Sequence, residues 1–301
     1  MGIKFRLIVM NFLQYAIWGS WLISLGAYLG GGLDFTGLQI GSFFATMGVA
    51  SLFMPAVMGI IADRWIPAQK LLGICHLVSG GFLIAAASQT AYGPLYSCML
   101  LSVMFYMPTI ALSNSVAYNA LDLARLDTVK HFPPIRVWGT VGFIAAMWFV
   151  DLTHIGGVQI KLTEWQLYVS AVLSFLLAVY SFSLPGCPVD RTVKARSWVD
   201  TLGLRAFTLF KEKRMAIFFV FSMLLGAALQ ITNAFGDSYI QSFGSMPQYA
   251  DSAIVKHSVI LLSLSQMSET FCILLIPFFL RRFGIKKVML ISMLALSLIH
   301  I

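Results

Sequence analysis

The sequence predicts an all-α polytopic membrane protein. Of its 301 residues 59% are hydrophobic and only 11% charged, and the mean hydropathy is +0.85. Soluble domains carry about 25% charged residues. The apolar residues are gathered into repeated segments of about the length that crosses a bilayer as a helix. These segments lie at about 7–29, 38–61, 71–89, 95–119, 136–151, 165–185, 215–236 and 257–280, and a ninth begins near residue 288.

The basic residues alternate with the apolar segments in a way that predicts topology. If the N-terminus is cytoplasmic, Lys161 and Lys256 fall outside, which leaves 18 of the 20 Lys and Arg residues inside. Cytoplasmic loops of membrane proteins carry such an excess. The net charge of +8 therefore indicates orientation rather than a nucleic-acid partner. We expect a multi-pass protein of the cytoplasmic (inner) membrane with its N-terminus inside.

The longest connection, residues 186–213, is basic and follows the sixth segment. It predicts three parts: a six-helix half at 1–185, a cytoplasmic linker at 186–213, and the beginning of a second half at 214–301. Apolar residues between Trp198 and Phe210 are compatible with an amphipathic helix along the inner surface. Many transporters are built from two such repeated halves.

Little in the sequence suggests catalysis or a cofactor. The four cysteines show no CxxC spacing, and three of them lie within apolar segments, so we interpret them as packing residues. No HExxH motif is present. His76 and His257 are interpreted as hydrogen-bonded packing residues, with a proton relay as the alternative. We therefore expect no metal, no cofactor and no enzymatic activity.

A charge is predicted within the fifth segment. The uncharged run at 137–150 has 14 residues, too few for the ~20 that span a bilayer, so Arg136 should lie at membrane depth. Pro133 and Pro134 suit the first turn of this helix. Arg136, Thr140 and Phe143 then follow at i, i+4 and i+7, on one face. A charge in the membrane normally has a partner and faces the protein interior.

Two later segments carry polar pairs at i, i+3. Gln230 and Asn233 lie in the seventh, where two carboxamides offer the donors and acceptors that a sugar or a base needs. Gln266 and Glu269 lie in the eighth. Glu269 is a candidate for proton coupling. Burial would favour its protonated carboxyl and a nearby Arg136 the ionised one, so whether it holds a proton would depend on what fills the cavity. Interhelical hydrogen bonding of the carboxamides and a static pair of Glu269 with Arg136 are the alternatives.

The first segment carries a polar and aromatic stripe. Its members, at i, i+3, i+7 and i+10, are Asn11, Gln14, Trp18 and Trp21. They predict either a cavity lining or packing between helices.

The turn after the second segment, from Gly59 to Asp63 and Arg64, resembles the GxxxD(R/K) loop signature of the major facilitator superfamily. The signature's later Gly and Arg pair are missing, and residues 281–287 resemble a second copy without the Asp. The resemblance implies that Asp63 and Arg64 belong to a gating loop. Ordinary basic loops are the alternative.

Three long stretches resemble the bacterial nucleoside:proton symporter family within that superfamily. They are FPPIRVWGTVGFIAAMW (132–148), RMAIFFVFSMLLGAALQITNAFGD (214–237) and SLSQMSETFCILLIPFFLRRFGIKK (263–287). The resemblance implies the major facilitator superfamily fold, here truncated after about eight and a half of twelve transmembrane helices. It also implies proton-driven uptake of purine and pyrimidine nucleosides, by a protein that we expect to be monomeric.

The resemblance further implies which residues contact the nucleoside: Arg136, Thr140, Phe143, Gln230, Asn233, Gln266 and Glu269. Of these, Glu269 and Arg136 would couple transport to protons. A transporter of another polar solute, such as a sugar or a drug, and a nutrient receptor that does not transport are the rival functions.

Overall fold

The computed structural model describes residues 2–189, 204–249 and 251–299, which are almost entirely helical. The α-helices are α1 (Ile3–Gly19), α2 (Leu25–Ala27), α3 (Gly37–Arg64), α4 (Ala68–Ala87), α5 (Tyr92–Leu123), α6 (Thr128–Leu152), α7 (Trp165–Ser181), α8 (Lys213–Ser242), α9 (Ala253–Lys256) and α10 (Ser258–Ile299). A π-helical turn covers Tyr28–Gly32, and 3₁₀ helices cover Ile160–Leu162, Leu204–Lys211 and Phe243–Ser245. Strands β1 (His154–Ile155) and β2 (Val158–Gln159) form an antiparallel hairpin after α6. Each of the eight predicted segments contains a helix.

Helix length and composition agree with a membrane protein. In the described part of the chain, five helical stretches are long and apolar enough to cross a bilayer: Gly37–Arg64, Ala68–Ala87, Tyr92–Leu123, Lys130–Leu152 and Lys213–Ser245. Trp165–Ser181 is apolar but shorter. The predicted amphipathic helix covers about residues 198–210; its first part, 198–203, lies outside the described residues, and Leu204–Lys211 is a 3₁₀ helix.

The sequence predicts one continuous helix for the first segment, but the structure shows a broken one. Helix α1 ends at Gly19, and the chain forms turns before α2 begins at Leu25. The break leaves the Ile17 carbonyl without an α-helical N–H partner. The hydroxyls of Ser20 and Ser170 each donate to that carbonyl, at 2.8 Å. These side chains therefore replace the missing backbone hydrogen bond.

Helix α6 begins earlier than predicted. It starts at Thr128, so Pro133 and Pro134 lie in its second turn, and their placement in the first turn was wrong. The longer helix puts Arg136 eight residues from its start, about 12 Å along the axis. Arg136 therefore lies well within a helix and not at its end.

Close backbone contact joins α6 to α1. A Cβ on Gly142 would lie 2.8 Å from the carbonyl carbon of Phe12, and a Cβ on Gly19 would lie 2.8 Å from the Cα of Phe143. Only glycine permits such an approach, which is common where membrane helices pack. The contact sets α1 and α6 side by side along their length.

The helices after the linker pack against the first half at separate points. Gly26 faces the backbone of α8, where its Cβ would lie 2.9 Å from the Ala234 carbonyl oxygen. Trp148 Nε1 on α6 donates to Ser263 Oγ on α10 at 2.9 Å. Within α10, Gly284 has a φ of 72° and interrupts the helical backbone, at the basic loop predicted between the eighth and ninth segments. The predicted boundaries at 185 and 213 stay predictions, and the two halves below mean only the described residues before and after 190–203.

Candidate substrate cavity

A cavity of about 170 Å³ lies between α1, α6, α8 and α10. It is bordered by residues of both halves of the chain: Tyr15, Trp18, Leu22, Arg136, Thr140, Phe143, Leu229, Gln230, Asn233 and Gln266. Trp18 and Gln230 also border an adjoining cavity of about 530 Å³ between α1, α3, α5 and α8. Small-molecule sites usually measure about 300–1,000 Å³, so the two spaces together have room for a ligand of nucleoside size.

Six of the seven predicted contact residues meet at the first cavity. Arg136, Thr140 and Phe143 come from α6, as their spacing on one helix face required. Gln230 and Asn233 come from α8, and Gln266 comes from α10. The backbone of Glu269 belongs to α10, but its side chain lies outside the described part of the structure.

Arg136 packs against an aromatic ring. Its guanidinium carbon lies 3.7 Å from the centroid of the Tyr15 ring, a cation–π contact. Such a contact is worth about 2 kcal/mol when it is shielded from water. Among the described side chains, no carboxylate forms an ion pair with Arg136. The sequence analysis missed Tyr15, although it lies one helical turn before Trp18 and so shares its face.

Trp18 completes an aromatic wall. Its ring meets Phe143 edge to face, with centroids 6.4 Å apart, and Tyr106 at 6.0 Å. Its indole Nε1 is buried and makes no hydrogen bond with any described group. The same is true of the Nε2 of Gln230. The cavity wall therefore contains two N–H donors whose hydrogen-bonding capacity is unused.

Gln14, another member of the predicted stripe on α1, serves packing. Gln14 is fully buried; its Nε2 donates to Thr109 Oγ1 at 2.7 Å, and its Oε1 lies 2.8 Å from His76 Nε2. The hydroxyl of Tyr106 donates to the Gln14 carbonyl at 2.7 Å. The interpretation of His76 as a hydrogen-bonded packing residue is confirmed. The network holds Tyr106 behind Trp18, so it positions one side of the cavity.

The predicted gating loop lies at the end of α3. Asp63 is exposed and Arg64 is half-buried in the last helical turn. Neither forms an ion pair with another described side chain. Their gating role stays a prediction.

The sequence did not predict a second polar site. It joins the two halves at the end of the helices opposite the predicted gating loop. We call Asp151, Lys161, Asp237, His257 and Ser258 the charge cluster. Lys161 Nζ lies 2.6 Å from Asp151 Oδ1, and His257 Nδ1 lies 2.7 Å from Asp151 Oδ2. Lys161 also donates to Ser258 Oγ at 3.3 Å, and Ser258 Oγ donates to Asp237 Oδ1.

The charge cluster is deeply buried and spans the boundary between the halves. Asp151, Asp237 and Ser258 are fully buried and Lys161 is 1% exposed, whereas His257 is 37% exposed. Lys161 donates a further hydrogen bond to the Lys256 carbonyl at 2.9 Å. The two lysines that the topology analysis placed outside thus meet here. The packing interpretation of His257 was incomplete, because its partner is a buried carboxylate.

Comparison with known proteins gives consistent matches. The family model described as "Nucleoside H+ symporter" matches residues 1–300. The xanthosine permease of Escherichia coli K12 is 52% identical over 298 residues, which cover 99% of this chain and 70% of that protein. The nucleoside permease NupG of the same organism is 48% identical over 295 residues, covering 98% of this chain and 69% of that protein. The crystal structure of the NupG D323A mutant superposes with a TM-score of 0.88 at 48% identity, covering 98% of this chain and 72% of that one.

Proposed function

Because this chain belongs to the nucleoside H+ symporter family, we propose that it takes up nucleosides together with protons across the cytoplasmic membrane, by alternating access to the cavity between its halves. The observation that carries the proposal is the meeting of six predicted contact residues from α6, α8 and α10 at one cavity. The chain spans about 70% of its two E. coli relatives, so helices beyond α10 in those relatives would complete the wall.

The wall has the chemistry that a nucleoside requires. Phe143 and Trp18 offer aromatic surfaces to a planar base. The carboxamides of Gln230, Asn233 and Gln266 each present donors and acceptors, which suits base edges and ribose hydroxyls. A buried donor without a partner costs about 1–3 kcal/mol. A substrate acceptor that hydrogen-bonds to Trp18 Nε1 or Gln230 Nε2 would remove this cost and so strengthen binding.

Proton coupling is assigned to Glu269 together with Arg136. Glu269 follows Gln266 by three residues on α10, so the two positions share a helix face. A carboxylate there would attract the guanidinium of Arg136, and protonation would cancel that attraction. The proton on Glu269 would then change how firmly Arg136 is held against Tyr15, which links proton binding to the shape of the cavity.

The orientation follows from the distribution of charge. With 18 of 20 basic residues on the side of the N-terminus, that side is assigned to the cytoplasm. The charge cluster then lies at the outer end, where it holds the halves together. We propose that this conformation is closed to the outside, and that each monomer transports on its own.

The decisive experiment is uptake into proteoliposomes. The full-length protein should accumulate labelled uridine when the outside is made acidic, and dissipating the gradient with a protonophore should abolish accumulation. Competition by unlabelled nucleosides but not by sugars would separate nucleoside transport from transport of another polar solute. Saturable binding without accumulation would instead favour the nutrient receptor and would overturn the proposal.

A further inference from the structure

The charge cluster is not balanced by its own side chains. Asp151 and Asp237 contribute two carboxylates and Lys161 one ammonium group, all of them buried. With His257 neutral, the sum is one negative charge within the protein. An uncompensated buried charge is costly, whereas a neutral set of paired groups is tolerated. A single bound proton would make the cluster neutral.

His257 is the member of the cluster that can receive this proton. Its Nδ1 lies 2.7 Å from Asp151 Oδ2, and its 37% exposure gives the ring access to water. Asp237 is fully buried and has no such access, and both of its oxygens already accept hydrogen bonds. Ser258 Oγ donates to Oδ1, and Gln241 Nε2 donates to Oδ2 at 2.9 Å.

The surrounding charges do not remove the imbalance. Lys256 directs its ammonium group to Asp251, at 2.9 Å, and both of these side chains are largely exposed. The exposed His154 contacts the Leu152 carbonyl through Nδ1 at 3.0 Å. Gln159 is neutral and donates to the carbonyls of Asp151 and Lys256. Gln166 is also neutral, and its Nε2 donates to the Lys161 carbonyl at 2.9 Å.

The complete cluster forms only while the two halves are in contact. Asp151 lies in α6 and Lys161 in the segment after β2. Asp237 lies in α8, His257 between α9 and α10, and Ser258 at the start of α10. When the halves separate at this end, water reaches every member, and the imbalance no longer carries a burial penalty. The need for the proton therefore disappears on opening.

We propose that the charge cluster is a second proton-binding site of this transporter, filled through His257 when the halves close at this end and emptied when they part. The inference rests on the proposed symport and adds a proton site outside the substrate cavity. Because the closed form binds one more proton, acid pH favours closure. The ratio of closed to open protein changes by up to about tenfold per pH unit where that proton binds.

The test measures closure directly and without substrate. Spin labels on the exposed Ile155 and Ile254, one on each half, would report the distance across this end by pulsed electron resonance between pH 5 and pH 8. The native cysteines are replaced beforehand. In the wild-type background, we expect the short-distance population to grow as the pH falls.

Two variants should act in opposite directions. His257→Gln cannot supply the charge, so the long distance should dominate at every pH. Asp237→Asn removes the excess negative charge, so the short distance should dominate at every pH. The double variant is neutral again without a proton and should be closed and insensitive to pH. Lys256→Gln, which alters the exposed neighbouring pair, should keep the wild-type response.

Three results would overturn the inference: a wild-type distance that does not change with pH, an unchanged pH response in His257→Gln, or opening caused by Asp237→Asn. The double variant controls for misfolding, since its closure requires a folded protein. Failure of nucleoside uptake by the wild-type protein would refute the proposed function separately, because the distances are measured with no nucleoside present.

Discussion

The charge cluster and the substrate cavity both contain buried polar groups where the two halves meet, but they differ in how those groups are satisfied. In the cluster, Lys161 has a carboxylate, a hydroxyl and a carbonyl as partners. In the cavity wall, Trp18 Nε1 and Gln230 Nε2 are buried without any described acceptor. Buried polar groups are normally paired within a protein. The buried ammonium group of Lys161 is therefore paired by the protein itself, whereas the two donors of the cavity wall are left for a ligand.

The largest expected effect comes from breaking the cluster. Lys161→Met should destabilise the protein by about 3–5 kcal/mol, since it leaves Asp151 as a buried charge without its main partner. Thermal unfolding of the purified protein would measure the loss. Lys256→Met, on the exposed pair, should leave the melting temperature unchanged. The double variant Lys161→Met with Asp151→Leu should recover much of the stability. Equal losses in Lys161→Met and Lys256→Met would contradict the difference expected between the buried and the exposed pair.

Removing the cation from the cavity should stop transport without reducing membrane insertion. Arg136→Ala should lower uridine uptake by at least about 100-fold, or roughly 2.7 kcal/mol, because the variant loses the positive charge that borders the cavity. Uptake assays, with membrane insertion checked by quantitative blotting, would measure it. Near-normal transport would show that the cavity is not the site.

Glu269→Gln separates the two proposed proton sites. We expect uridine uptake to lose its dependence on the proton gradient, while the pH-dependent distance between Ile155 and Ile254 persists. Parallel measurements of uptake against pH and of proton flux into vesicles would test this. If pH dependence and proton flux are both unchanged, Glu269 has no coupling role, and the charge cluster becomes the main candidate.

The smallest effect is expected from the aromatic wall. Trp18→Phe keeps an aromatic ring, although a smaller one, and removes the unused donor, so the KM for uridine should rise about three- to tenfold with little change in the maximal rate. The matched control is Trp138→Phe, at an exposed position on α6, which should transport normally. A wild-type KM in Trp18→Phe would mean that the indole N–H does not meet the substrate.

Much of the cavity could be predicted from sequence because its residues repeat with helical spacing. Arg136, Thr140 and Phe143, or Gln230 and Asn233, stand out as polar or charged residues on one face of an apolar helix. Tyr15 was missed because aromatic residues are common in membrane helices and its role depends on Arg136 from another helix.

The charge cluster could not be predicted in the same way. Asp151, Lys161 and His257 lie at helix ends or in connections, where charged residues are ordinarily solvated, and their partners are about 10 to 106 positions apart in the chain. Only the packing of α6 against α10 brings them together. The break after Gly19 was missed for a related reason: the serines that stabilise it are also tolerated in continuous membrane helices.

The glycine contacts between α1 and α6 have a consequence for the transport cycle. Because Gly19 and Gly142 place one backbone directly on the other, neither helix can slide or rotate past its neighbour without a steric collision. Tyr15 and Arg136, and likewise Trp18 and Phe143, should travel as a fixed template throughout the cycle. The motion that admits and releases cargo is then left to α8 and α10, which carry the carboxamides toward or away from that template.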